Sequence, residues 1–151
     1  MKLSKSRVRR SIVSTFLLLI FLVVMAVPAI ASEISMSINT NPLTPNIYRI
    51  GDTIHYTMSV GNPAHNAATN TLNSVELILP DGSTVVLATN LVQAPGVSNP
   101  YYYDYIVKAS DIKFISGSYR VEAFIHASGI DSLGDSISAT EIGRASCRER
   151  V

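Results

Sequence analysis

Tryptophan is absent from this 151-residue chain, cysteine occurs once, histidine three times, and charged residues make up only 15%. Each scarcity closes a class of function. A single cysteine cannot build a disulfide framework or a thiolate metal cluster. His55, His65 and His126 show no H-x-H or H-x-x-E pairing, so no zinc donor set is predicted. Serine is abundant, but no Gly-x-Ser-x-Gly elbow occurs and no two carboxylates stand at an obvious catalytic spacing. The expectation is a protein that is not an enzyme and needs no cofactor. No Asn-x-Ser/Thr sequon is present either.

What is present begins with the first 31 residues. Lys2, Lys5, Arg7, Arg9 and Arg10 form a basic start with no acid, and the stretch from Ser11 to Ala31 carries no charge. It is centred on Phe16-Leu17-Leu18-Leu19-Ile20-Phe21-Leu22-Val23-Val24-Met25 and closes on Pro28-Ala29-Ile30-Ala31. A basic region, an apolar core and a small-x-small site are the parts of a secretory signal peptide. Cleavage is expected between Ala31 and Ser32. The alternative is an uncleaved anchor, since about 20 apolar residues span a bilayer. Either way the remainder is exported, because the basic flank stays inside. No cysteine follows the site to carry a lipid.

The other end changes character at Glu141. Glu-Ile-Gly-Arg-Ala-Ser-Cys-Arg-Glu-Arg-Val resembles the in-frame translation of a common short-read sequencing adapter over all its residues. Residues 141–151 are therefore expected to be a non-native tail, set aside before the fold is reasoned about. On that reading Cys147 is foreign and the last strand is cut at Thr140. The segment from Ser32 to Thr140 then holds four basic residues, Arg49, Lys108, Lys113 and Arg120, against nine acids. This mildly acidic balance offers nucleic acid no electrostatic footprint.

Between the two ends no 3.6-residue apolar period persists, and period-two alternation recurs instead. Ile34, Met36 and Ile38 alternate with polar residues before Asn41-Pro42 and Thr44-Pro45-Asn46 break the run. The clearest strand sets Ile54, Tyr56, Met58 and Val60 against Thr53, His55, Thr57 and Ser59. Val75, Leu77 and Leu79 follow, and Pro80-Asp81-Gly82-Ser83 reads as a turn whose glycine supplies positive φ. Thr84 to Ala88 returns as its hairpin partner. Tyr103, Tyr105 and Val107 are assigned to a core face, leaving Tyr102 outside. Tyr119, Val121, Ala123 and Ile125 form a further strand, and Ser136 to Thr140 begins the last. A short helical turn is expected within Lys108 to Phe114. About seven short strands with turns between them predict an antiparallel β-sandwich of one domain, residues 47–140, preceded by an N-terminal strand and linker at 32–46. Parallel α/β is disfavoured because no crossover helix is available.

Three landmarks resemble prokaryotic immunoglobulin-like cell-surface repeats. Gly51-Asp52-Thr53 opens the strand ending at Gly61-Asn62-Pro63, Val75-Glu76-Leu77-Ile78-Leu79-Pro80-Asp81-Gly82 is similar to a second landmark, and Gly117-Ser118-Tyr119-Arg120-Val121 to a third. The resemblance covers about Ile47 to Thr140. It implies an immunoglobulin-like sandwich used as a stalk, spacer or adhesion module, with structural roles for Gly51, Gly82 and Tyr119. Tyr119 would act as a tyrosine corner. Antibody-type domains carry cysteines where this chain has Tyr56 or Met58 and Val121, so its core must hold by burial alone.

Among candidate sites, Tyr101-Tyr102-Tyr103-Asp104-Tyr105 offers an aromatic surface for sugars, with Tyr102 the residue free to use it. Asp131-Ser132-Leu133-Gly134-Asp135 has two carboxylates in a loop, which suits a polar hairpin better than calcium. The function expected is a non-catalytic spacer or adhesion module at the front of a longer secreted or surface-anchored prokaryotic protein. The alternative is an accessory, glycan-binding domain of an extracellular enzyme. Partners would be a cell-surface protein or polysaccharide, with membrane contact only through the signal segment or a C-terminal anchor.

Overall fold

The computed structural model describes residues 32–41 and 47–148. The signal segment with Ala31, the break at Thr44-Pro45-Asn46 and the last three residues lie outside the described residues. Among the described residues no helix is long and apolar enough to cross a membrane.

Among the described residues eight strands follow one another: β1 (Ser35–Thr40), β2 (Thr53–Gly61), β3 (Asn70–Ile78), β4 (Thr84–Gln93), β5 (Ser98–Ile106), β6 (Lys113–Ile115), β7 (Ser118–Asp131) and β8 (Ser136–Ser146). The turn expected after Lys108 is a 3₁₀ turn at Ala109–Asp111. All strand pairs are antiparallel. One sheet runs β1-β2-β5, the other β4-β3-β7, with β6 and β8 also on β7. The fold is an all-β sandwich.

Alternation decides which side chains fill it. Ile54, Tyr56, Met58 and Val60 from β2 face Leu72, Val75, Leu77, Val121, Ala123, Ile125 and Ala127 from β3 and β7 in one core. Tyr56, Met58 and Val121 are all buried, so apolar packing occupies the places considered for cysteines. Burial of this kind is worth about 25 cal/mol per Å² of apolar surface. The strand at 35–40 is no appendage: β1 pairs with β2 through six rungs, from Ser35 opposite Gly61 to Thr40 opposite Tyr56.

β8 runs on past Thr140 into the residues expected to form the non-native tail. β8 continues to Ser146 and stays in register with β7 down to Ala145 opposite Val121 and Ser146 opposite Arg120. The reason lies in residue size and parity. Ala145 is buried, and Gly143 lies so close to β1 that an added Cβ would stand 2.6 Å from Ile38 Cγ1. Tyr48 then bridges Cys147 in parallel, its N–H donating to Ser146 O at 2.9 Å. Residues 141–147 thus complete the sheet.

Turn chemistry explains the connections. Gly82 adopts φ +85°, its N–H donates to Leu79 O, and Asp81 accepts from the Ser83 amide and hydroxyl. Ser116 and Gly117, both at positive φ, join β6 to β7, as a two-residue hairpin of type I′ requires. Tyr119 packs, partly buried, on Phe114 with ring centroids 5.1 Å apart. A phenol-to-backbone bond is made by Tyr48, whose hydroxyl donates to Asn41 O.

Candidate functional surface

The outer face of the three-stranded sheet is set by the strand registers. Asn39, Thr57 and Tyr102 share one rung, and Ser37, Ser59 and Pro100 share the next. On the other side of Tyr102, Asp104 lies opposite His55. Tyr102 is 72% exposed, whereas Tyr105 is buried and Tyr101 and Tyr103 are partly covered. The tyrosine run therefore presents one ring to solvent, as its alternation predicts. Around that ring stand hydroxyls, an amide and one carboxylate–imidazole pair, His55 Nδ1 to Asp104 Oδ1 at 2.6 Å. The contact holds the imidazole in one orientation. Both partners are exposed, so it adds little stability.

β5 is also a sheet edge, and its backbone is guarded. Asn41 N donates to His55 O, so odd-numbered residues of β2 turn their backbone groups to β1 and even-numbered ones to β5. Pro100 lies opposite Ser59 and therefore faces the open edge, where its missing N–H interrupts the template for another strand.

The sandwich has two chemically different poles. At the first, β2, β4 and β7 end and β3 begins, and a buried amide network joins the sheets. Asn62 Nδ2 donates to Ala68 O and Gln93 O, both at 2.9 Å, and Gln93 Nε2 donates to Val60 O and to Asn99 Oδ1 at 2.8 Å. Asn66 Nδ2 donates to Asn62 Oδ1 and to Glu33 O, and Asn70 Nδ2 also donates to Glu33 O. Asp131 sits here with its carboxylate held below the ordinary carboxylate value, first by the Ser32 hydroxyl and then by turn amides. Those contacts make the Asp131–Asp135 loop a self-satisfied polar hairpin. Gly51 lies toward the opposite pole at φ +92°, its N–H donating to Val107 O.

At that second pole Asp111 is buried and its Oδ2 accepts from the Tyr105 hydroxyl at 2.7 Å and the Lys108 amide at 2.8 Å. Burial, helped by this bond, pushes the Tyr105 phenol well above its usual range. Lys108 Nζ reaches Asp81 Oδ2 at 2.7 Å; this lowers the Asp81 carboxyl strongly and raises the lysine. Lys108 also lies 5.6 Å from the Tyr105 ring centroid. Sequence reasoning missed Asp111 and the amide network. The only signal was the density of Asn and Gln at strand ends, which reads equally well as loop composition.

The three histidines lie apart. His65 reaches Glu33 at 3.6 Å, His126 contacts Thr140 Oγ1 at 2.9 Å, and His55 pairs with Asp104. Among the described residues no three His, Cys, Asp or Glu side chains converge as a metal site would require.

No family model matches the chain and no curated protein matches it. Among solved structures it is similar to Spo0M, the sporulation control protein of Bacillus subtilis, at 12% identity and a TM-score of 0.43, over 79% of this chain and 50% of that one. It is also similar to the structural-genomics target SoR45, at 11% identity and a TM-score of 0.44, over 76% of this chain and 86% of that one. The chain spans about half the length of Spo0M.

Proposed function

We propose that this chain is a non-catalytic spacer or adhesion module of the immunoglobulin-like kind, at the front of a longer exported prokaryotic surface protein. One observation carries the reading: the chain joins the sandwich at one pole and leaves it at the other. Ser32 is fastened to Asp131 at the end of β7, whereas β8, antiparallel to β7 from Ser136 opposite Ile130 to Thr140 opposite His126, carries the chain back toward the start of that strand. The twelve rises from Tyr119 to Asp131 amount to roughly 40 Å at about 3.3 Å per residue. Connected in series, such a module extends a stalk by its long dimension, whereas neighbouring termini would double the chain back.

The basic and apolar leader supports export, and the positive φ of Gly51, Gly82 and Gly117 between strands suits the surface-repeat reading. Reading the uninterrupted gene from the source genome tests the proposal. Further sandwich repeats or a surface anchor downstream are expected; a stop codon soon after the last strand, with neither, overturns it.

A second reading is favoured by the exposure of Tyr102: an accessory domain that holds polysaccharide for an extracellular enzyme. A hydrolase domain in the same gene is its mark. Glycan binding by the purified chain, lost in Tyr102→Ala, is the direct assay, and failure to bind any glycan removes this reading.

A further inference from the structure

Asp131 has its hydrogen bonds satisfied but, among the described residues, no counter-charge. It closes β7, is 3% exposed, and meets only neutral donors: the Ser32 hydroxyl at 2.8 Å and the Leu133 and Asp135 amides at 2.9 Å. None of the ion pairs among the described residues involves it. Buried charges are ordinarily paired. The side chain that reaches it belongs to the residue directly after the expected signal cleavage point.

The backbone on the other side of Ser32 is pinned as well. Glu33 N donates to Asn66 Oδ1 at 3.4 Å, and Glu33 O accepts from Asn66 Nδ2 at 2.8 Å and from Asn70 Nδ2 at 3.2 Å. Covalent geometry places the Ser32 nitrogen roughly 3–4 Å from its own Oγ, and so within about 7 Å of the Asp131 carboxylate. Rotation about a few bonds brings it into contact.

We infer that signal cleavage makes Ser32 a cationic anchor, whose new α-ammonium pairs with Asp131 and fastens the start of β1 to the first pole. The inference rests on the exported-protein reading above. Signal peptidase hydrolyses the Ala31–Ser32 amide: the C–N bond breaks, water supplies the hydroxyl of the Ala31 carboxyl group, and the nitrogen leaves as an amine that takes up a proton at neutral pH. Before that step the nitrogen is a neutral amide and offers Asp131 no charge. Processing therefore adds a contact that the uncut precursor cannot make, so that release of the leader and closure of the amino-terminal strand reinforce each other.

The test starts from the full chain secreted by a bacterial host. Intact mass reports where the mature protein begins, and a start other than Ser32 overturns both the cleavage assignment and this inference. With a start at Ser32, urea unfolding is compared before and after selective acetylation of the α-amine at mildly acidic pH. Acetylation should raise the unfolding constant roughly five- to tenfold, and the same comparison in Asp131→Asn should show no difference. Asparagine retains an oxygen for the turn amides; if that variant still fails to fold, the gap between free and acetylated protein should shrink between low salt and 1 M NaCl. Equal stability of the free and acetylated proteins, or a gap untouched by both Asp131→Asn and salt, refutes the ion pair while leaving the export reading intact.

Discussion

Gly129→Ala should be among the most damaging single-methyl additions this sandwich can receive. A Cβ built on Gly129 would stand 2.1 Å from Thr71 O, 2.6 Å from Leu72 Cα and 2.9 Å from Thr71 C. These are backbone atoms of β3, and β3 cannot step aside: Leu72 is paired with Leu91 on one flank and with Gly129 on the other. The close approach coincides with the register shift between Leu72 and Ser74, an irregularity of the β3–β7 ladder. Overpacking relieved by side-chain and backbone shifts costs about 1–3 kcal/mol, occasionally more. Because paired backbone must move here, the loss should reach the top of that range, about 3 kcal/mol, a large share of the roughly 0.05–0.15 kcal/mol per residue that holds a domain together. Urea unfolding followed by circular dichroism measures it. With a slope of about 1–2 kcal/mol per M, the midpoint should fall by roughly 1.5–3 M at unchanged slope. Gly134→Ala is the control, since Gly134 has φ +91° and nothing within 4 Å of an added Cβ. It should lose only the left-handed penalty of roughly 1–2 kcal/mol. A smaller midpoint shift for Gly129→Ala than for Gly134→Ala would refute the reasoning.

Other outcomes follow from the two poles and the last strand. Asp111→Ala strands the buried Tyr105 hydroxyl and Lys108 amide, and should cost about 2–4 kcal/mol in chemical denaturation, with Tyr105→Phe costing less. The folded-state carboxyls of Asp81 and Asp131 are lowered from the ordinary 3.8, so their contribution is present above about pH 4 and lost as pH falls; Asp81→Asn should flatten the acid limb of a stability–pH profile. Cys147 is buried, which pushes its thiol up to about 11, so it should resist a thiol reagent at pH 8 until urea opens the fold; fast labelling of the native protein would mean that β8 is not seated. Tyr102→Ala should leave stability within about 0.5 kcal/mol, because the ring stands in solvent, and a larger loss would show that it packs.

The alternation of Ile54, Tyr56, Met58 and Val60 made β2 legible residue by residue, and the same holds for Val121, Ala123 and Ile125. Period two is a local property, and burial follows from it directly. The exposure of Tyr102 was readable for the same reason. Three things were not. The pairing of β1 with β2 depends on a partner beyond the Asn41-Pro42 break. The continuation of β8 past Thr140 depends on how well Gly143 and Ala145 fit against Ile38 and the core, which a change in local composition obscures. Asp111 and the Asn62–Gln93 network depend on side chains meeting from different strands, and no spacing along one strand encodes them.

The opposite placement of the two attachment points has a mechanical consequence. A force that pulls Ser32 and Cys147 apart runs along β1 toward the first pole and along β8 toward the second. Each strand is then drawn parallel to its own axis: β1 past β2 through six rungs, and β8 past β7 through eleven. Backbone hydrogen bonds loaded this way share the strain and must fail together. They do not peel open one after another. If the chain is tethered at both poles, as the proposed spacer role requires, it should resist tension along its length, and β8, with the longer ladder, should be the later of the two strands to yield.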